Sequence, residues 1–249
     1  MKKKIAIIGA GISGLVFANL IKQNTEYVFS IYEKNSSLET KEGYGVQLSV
    51  NSVGILNKFG FKNVKEENKF NPEKINFYSL LSNKKICDLD LTNFNLENTY
   101  YTTLKRSLLI NFLKEKLFTN SVQFNKKVKN IKSKNYNIEV TFQDGIQESF
   151  DYLIIADGVF STTKSILLNE DIKPKYFGSL AIRTLIKNED LKFMDKNNIN
   201  LFLGPDVHVV TYPVNTKNEI NLISVIRKKL NQETLNDESF FSKKDNIIN

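Results

Sequence analysis

One cysteine, one histidine and three arginines are all that this chain of 249 residues contains of those types. Cys87 alone cannot close an intramolecular disulfide, and Cys87 with His208 falls short of a Cys/His zinc set or an iron–sulfur centre, so no metal site of that kind is expected. Such sparing use of cysteine fits a reducing, cytoplasmic setting. No apolar run approaches the ~20 residues that cross a bilayer as a helix, so no integral membrane segment is expected. Of the 35 basic residues only Arg106, Arg183 and Arg227 are arginine. The lysines are scattered rather than interleaved with aromatics into a stripe, so the net charge of +8 does not point to nucleic acid. Internal repeats and low-complexity linkers are missing too, which argues against a solenoid or a string of domains.

What is present reads as a packed α/β protein. Hydrophobic residues make up 41% and charged residues 25%, the balance of a chain that buries a core. The length suits one extended domain or two modest ones. Met1 to Lys4 followed by an apolar stretch to Ala18 superficially resembles a secretory leader. Gly9, Gly11 and Gly14 at fixed spacing, with no small-x-small cleavage site, make that stretch structural instead.

Ile5–Ile8 is a short apolar run of the kind that forms a buried parallel strand. A helix is expected over 13–23 and a second strand over 28–32, which together make one βαβ unit. Residues 34–50 read as a long glycine-bearing loop, and Val50–Phe59 as a short helix stopped by Gly60. Runs 75–81 and 85–91 suit an antiparallel hairpin with Cys87 as a small core residue. A helical stripe follows over 107–118, then strands over 121–134 and 137–150, the latter turning at Asp144-Gly145. Asp151–Ala156 is a further buried strand, followed by a helix over 162–168. Strands are expected at 177–187, 199–204, 207–213 and 219–226, and the polar residues 230–249 show no complete packing stripe.

Gly9-Ala10-Gly11-Ile12-Ser13-Gly14 lies between a strand and a helix, the context a dinucleotide fingerprint requires. Gly9 permits the turn, Gly11 lets backbone approach a pyrophosphate at the helix N-terminus, and Gly14 lets the helix lie close on the strand. Glu33, with Lys34 beside it, closes the second strand, where a carboxylate can accept hydrogen bonds from a ribose diol. The fingerprint by itself does not separate NAD from FAD.

The segment from Asp151 through Asp157-Gly158 to Ser161 and Lys164 resembles the second box of the FAD-dependent aromatic-ring monooxygenases, the group that includes p-hydroxybenzoate, salicylate, hydroxynicotinate and ubiquinone-pathway hydroxylases. Lys164 stands where that family usually has arginine. Arg106 matches the family arginine at the head of a helix, where a cation suits a nearby anion such as the FAD pyrophosphate. Gly43 to Leu48, with Gly45 and Val46 at its centre, resembles the family's flavin-side loop, and Val128 falls where relatives make backbone contact with the adenine. Phe177–Arg183 and Leu203–Val214 resemble the family's substrate-domain strands, with His208 and Tyr212 as candidate pocket residues in the catalytic region. Tyr212 as a packed sheet aromatic and His208 as a rim residue is an equal reading. Arg183 could meet a substrate carboxylate or a structural partner.

The resemblance implies a Rossmann-like FAD-binding domain (1–73 and 99–173), an interleaved β-rich substrate domain (74–98 and 174–228) and a polar tail (229–249). It implies an enzyme that binds FAD, uses NADH or NADPH and O2, and hydroxylates a small aromatic ring. The family's third box, a Gly-Asp followed by Ala-Ala-His, is not in this sequence, so a C-terminally truncated version of the fold is expected. Two alternatives stay open: a different flavoprotein oxidoreductase of reductase or halogenase type, and a non-catalytic fragment that binds FAD or another dinucleotide.

Overall fold

The computed structural model describes residues 2–38, 44–134, 137–187 and 195–236. In chain order the elements are β1 (Lys3–Ile8), α1 (Ile12–Ile21), β2 (Tyr27–Tyr32), β3 (Gly45–Leu48), α2 (Val50–Asn57), β4 (Lys69–Phe70), β5 (Lys74–Ser79), β6 (Lys85–Asp90), β7 (Thr102–Lys105) and α3 (Arg106–Glu115). There follow β8 (Val122–Gln123), β9 (Val128–Lys134), β10 (Asn137–Phe142), β11 (Gln147–Phe150), β12 (Tyr152–Ile155), α4 (Thr162–Leu168), β13 (Ser179–Lys187), β14 (Ile199–Leu203), β15 (Val207–Pro213), β16 (Glu219–Arg227) and α5 (Gln232–Asn236).

The first layer system is a parallel sheet in the order β12-β1-β2-β8. Its central strand explains its own sequence. Ile5 and Ile7 pack with Leu15 of α1 and Leu109 and Leu113 of α3, while Ala6 and Ile8 pack with Val128, Val140 and Phe142 of the β9–β11 meander. Both faces are covered, so every residue from Ile5 to Ile8 is apolar rather than every second one. Asn19, buried between α1 and α3, donates its amide to the carbonyls of Leu15 and Leu113 and ties the two helices together. The meander turns at Gly145, whose φ of +86° only glycine adopts without strain.

The second system is a six-stranded sheet in the order β13-β16-β15-β14-β5-β6. The hairpin β5–β6 joins it through parallel pairing of β5 with β14, so segments more than a hundred residues apart share one sheet. A small sheet of β3, β7 and β4 lies between the two systems. Three contacts clasp it to the six-stranded sheet: Gly45 N–H donates to Asn221 Oδ1 (2.6 Å), Thr103 Oγ1 to the Pro213 carbonyl (2.5 Å), and Lys105 pairs with Glu219 (2.5 Å).

Four expectations need correction. Cys87 is exposed, because β6 is an edge strand paired only with β5. The expected loop over 34–50 contains strand β3, held by antiparallel pairing with β7 that no local pattern announces; residues 39–43 lie outside the described residues. The run 121–134 is two strands in two different sheets, broken where Asn125 adopts a left-handed φ of +59°. The tail carries the short helix α5, and 237–249 lie outside the described residues. Among the described residues no helix is long and apolar enough to cross a membrane.

Candidate dinucleotide site and adjoining sheet face

The carboxyl ends of three parallel strands meet at one place. β1 runs into the Gly9–Gly14 turn, β2 into Glu33, and β12 into Asp157-Gly158. A Cβ on Gly9 would stand 2.5 Å from the Ala156 carbonyl oxygen and 2.7 Å from Asp157 Cα, so the missing side chain is what lets the two glycine-bearing turns touch. A Cβ on Gly14 would lie 2.1 Å from the Gly9 carbonyl oxygen, which enforces the tight seat of α1 on the turn. Gly11 is different: nothing lies within 4 Å of its Cβ position, and its φ of −74° is ordinary. Neither a close neighbour nor backbone strain accounts for glycine there, whereas a ligand approaching the open helix N-terminus does. No side chain caps that N-terminus and no acid occupies its first turn.

Glu33 braces this turn. Its Oε2 accepts from Ala10 N–H (2.9 Å) and its Oε1 from Asn35 N–H (3.0 Å), which fixes the carboxylate at the strand end with lone pairs still available to hydroxyl donors. The segment leading to Val128 runs alongside: Glu33 N–H donates to the Gln123 carbonyl and Lys126 N–H to the Glu33 carbonyl. Val128 itself is buried in the meander core, and Lys34 is exposed beside Glu33. Asp157 Oδ1 is buried and has no hydrogen-bond partner among the described residues. A buried carboxylate oxygen without a donor is costly, and a ligand hydroxyl would satisfy it. The open Gly11 cradle, the braced Glu33 and the orphaned Asp157 oxygen together fit the diphosphate and polyol portions of FAD. Ile12 and Ser13 form the first turn of α1, and Ser161 caps α4 by accepting from Lys164 N–H (3.0 Å).

A second group of residues gathers where the small sheet faces the six-stranded one. Strand register puts Arg183, Ile223 and Val210 in one cross-strand row and Leu185, Asn221 and Tyr212 in the next, and residues two apart share a face. Ala181, Val225 and His208 form a third row, so His208, Tyr212 and Arg183 all belong to the same face of the sheet. Tyr212 is 2% exposed, whereas His208 is half-buried. Burial pushes the Tyr212 phenol up to about 12, with the neighbouring Arg183 charge pulling the other way. Gln47 links it to Tyr101, whose hydroxyl donates to Gln47 Oε1 (2.8 Å) and whose own phenol is raised by burial.

Gly45 and Val46 belong to β3. A Cβ on Gly45 would meet the Tyr212 ring and Val214 at 2.7 Å, so packing of β3 on β15 accounts for glycine at that position. Tyr44, just before it, has the Arg106 guanidinium 5.8 Å and the Arg183 guanidinium 5.2 Å from its ring centre. Sequence reading missed Tyr44, Tyr101 and Asn221. Tyr44 at the edge of the glycine-bearing loop was the one local signal available, whereas Asn221 emerges only through its bond to Gly45.

No protein-family model matches the chain. Among curated proteins it is 26% identical over 215 residues to 3-amino-4-hydroxybenzoate 2-monooxygenase of Streptomyces cremeus, covering 85% of this chain and 53% of that protein. It is 31% identical over 81 residues to the FAD-dependent monooxygenase OpS4 of Beauveria bassiana, covering 29% of this chain and 19% of that one. Among solved structures it superposes on Klebsiella pneumoniae HpxO complexed with FAD and uric acid with a TM-score of 0.80 at 22% identity, covering 94% of this chain and 59% of HpxO. A salicylate hydroxylase substrate complex gives a TM-score of 0.76 at 19% identity over 92% and 56%. Both curated relatives are named as monooxygenases, one of the two structures holds FAD and the other is named as a salicylate hydroxylase, and the fold of this chain is that of these structures. The chain spans a little over half the length of HpxO and of the Streptomyces relative.

Proposed function

We propose that this chain is the FAD-binding and ring-binding portion of a flavin-dependent monooxygenase that hydroxylates a small aromatic or related ring compound with NADH or NADPH and O2. The observation that carries the reading is the convergence of the open Gly11 cradle, Glu33 and the orphaned Asp157 oxygen at the carboxyl end of one parallel sheet. Likeness to proteins of that activity, one of them solved with FAD and uric acid, supports it.

When bound, FAD would supply the redox chemistry, accepting a hydride from the nicotinamide and activating O2. The work of the chain is to hold and orient. Backbone N–H groups at the start of α1 would receive the diphosphate, and Glu33 the adenosine ribose hydroxyls. The Asp157 oxygen would accept from a flavin-side hydroxyl. Residues 44–48, with Gly45 seated on Tyr212, and Arg106 at the head of α3 would line the flavin side of the pocket. Tyr212 and His208 would face the ring substrate. The Tyr212 phenol, protonated at neutral pH like any tyrosine and pushed further up by burial, offers a neutral hydrogen-bonding group rather than a base.

The test is the visible spectrum of the purified chain before and after addition of FAD, followed by NADH and NADPH oxidation with and without aromatic substrates. Retained FAD and substrate-stimulated oxidation with a hydroxylated product are expected. FAD-dependent oxidation indifferent to every ring compound favours a reductase, and failure of a folded sample to bind FAD overturns the proposal.

A further inference from the structure

A cavity of about 220 Å³ lies between α2, the turns at 61–63 and 66–68, and the segment 98–102. Its wall belongs to the face of β7 turned away from the six-stranded sheet. Thr103 reaches that sheet through its bond to Pro213, whereas Thr102 and Leu104, one residue to either side, point the opposite way, and Leu104 packs with Val53 and Phe61. Val53, Phe61 and Thr102 line the cavity, which shares no residue with the Gly9–Gly14 turn, Glu33 or Asp157.

Two polar side chains in this wall are poorly served by the protein. The Lys69 side chain is only 10% exposed, yet the acceptor its ammonium meets is Glu66 Oε1 (2.8 Å), on a side chain that is 77% exposed. A pair screened by solvent on one side offsets little of the cost of burying an ammonium, and that ammonium carries three donors. The Asn57 amide donates through Nδ2 to the Asn98 carbonyl (2.7 Å), while its Oδ1 is buried with no partner among the described residues. Exchanging the two amide atoms would set oxygen against the Asn98 carbonyl oxygen, so the unserved atom is the acceptor. Thr102 cannot turn to it, because its hydroxyl already donates to the Tyr100 carbonyl (2.8 Å) and accepts from Asn71 Nδ2 (2.8 Å). The cavity therefore presents a cationic donor and an unfilled acceptor beside the apolar Val53 and Phe61. Lys62 and Lys69 against Glu66 leave its lining with one surplus positive charge.

We propose that this cavity is a binding site for a small hydroxycarboxylic acid, with the carboxylate on Lys69 Nζ, the hydroxyl donating to Asn57 Oδ1 and the carbon body on Val53 and Phe61. A monoanion balances the surplus charge, and its own O–H supplies the donor that Asn57 lacks. At ~30 Å³ for each water-sized group the volume admits about seven such groups, the size of a four-carbon hydroxy acid. The site is separate from the proposed flavin site and does not depend on that reading.

The experiment follows two-dimensional amide spectra of the whole nitrogen-labelled chain during titration with 2-hydroxybutanoate, with butanoate, which lacks the hydroxyl, and with 2-hydroxybutanamide, which lacks the charge. The hydroxy acid should move the Asn57 side-chain amide and the Lys69 backbone amide saturably, with a Kd of about 1 mM, and leave the Gly9–Gly14 amides in place. Butanoate should bind about fivefold more weakly and the amide about tenfold or more weakly. Lys69→Met should erase the preference for acid over amide, and Asn57→Leu the preference for the hydroxyl. Glu66 is well exposed, so losing its partner in Lys69→Met should leave the melting temperature nearly unchanged. If either variant melts early, the three-compound comparison on the unsubstituted chain decides. Absence of saturable shifts, shifts that map away from Asn57 and Lys69, equal binding of the three compounds, a charge preference without a hydroxyl preference, or preferences that survive both substitutions in folded chains overturns the proposal.

Discussion

Replacing each fingerprint glycine by alanine should separate fold from ligand binding, because the three positions offer a methyl group very different surroundings. At Gly14 the new carbon stands 2.1 Å from the Gly9 carbonyl oxygen and 3.4 Å from Ile7 Cγ2. The close atom is backbone on a turn that is itself pressed against Ala156, so neither side can retreat cheaply. Overpacking of this kind costs about 3 kcal/mol or more. For a chain of this size each kcal/mol lowers the melting temperature by about 2–4 °C, so Gly14→Ala should melt about 6–12 °C lower. At Gly11 the methyl enters open space at φ −74°, and the melting temperature should stay within about 2 °C. The same methyl obstructs approach to the α1 N-terminus. Loss of one charge-assisted hydrogen bond there, at about 1.5–3 kcal/mol, weakens FAD binding about tenfold or more. Thermal melts followed by circular dichroism, paired with fluorescence titration of FAD, read both effects. Equal destabilisation by Gly11→Ala and Gly14→Ala would refute the packing argument. Unchanged FAD affinity in Gly11→Ala and in the bulkier Gly11→Val would remove the pyrophosphate from this turn.

Glu33→Ala should weaken FAD by at least about tenfold, since it deletes the ribose acceptor and the brace on Ala10 N–H, and Glu33→Gln should fall between; equal affinity in all three proteins counts against the ribose assignment. Gly45→Ala forces a carbon to 2.7 Å from Tyr212 and Val214 and should cost about 1–3 kcal/mol in a denaturant melt, whereas no loss would mean that β3 does not seat on β15 as described. The raised Tyr212 phenol makes a signed prediction: its share of stability is complete below the unfolded value near 10 and disappears as pH climbs toward 12. Tyr212→Phe should flatten that alkaline loss, and a profile identical to the unsubstituted chain would refute the burial argument. Glu219 behaves in the opposite sense. Burial raises its carboxyl, but hydrogen bonds from Lys105 and Asn215 outweigh that and hold it below the ordinary value, so its contribution is present above pH ~4.5 and lost on acidification. Glu219→Gln should remove that acid-side slope from a melting series, and an unchanged slope would place the transition elsewhere.

Much of the first layer system was legible because its signals are local. Ile5–Ile8, the glycine spacing and Glu33 lie within about thirty residues, and strand period, turn chemistry and helix stripe can each be read from neighbours. The hairpin turn at Asp144-Gly145 was legible for the same reason. Strand β3 was not, since four residues with a glycine at their head look like loop until β7 pairs with them. Cys87 was misplaced because a hairpin strand looks alike in the centre and at the edge of a sheet; the difference is whether another strand lies outside it.

From residue order come the parallel βαβ start, the tight glycine turn at the head of α1, the Asp157-Gly158 turn after a strand, and the strand pattern of the C-terminal half; that β12 is a half-buried edge strand rather than a buried one is decided by the sheet order. Residue order does not say that Asp157 touches Gly9 across nearly 150 positions, nor that Tyr44 meets both Arg106 and Arg183, nor that Gly45 is small to admit Tyr212. Those meetings depend on which strands pair and which faces are buried. Local patterning gives each strand an apolar side, but the partner is selected by total burial and backbone pairing over the whole chain.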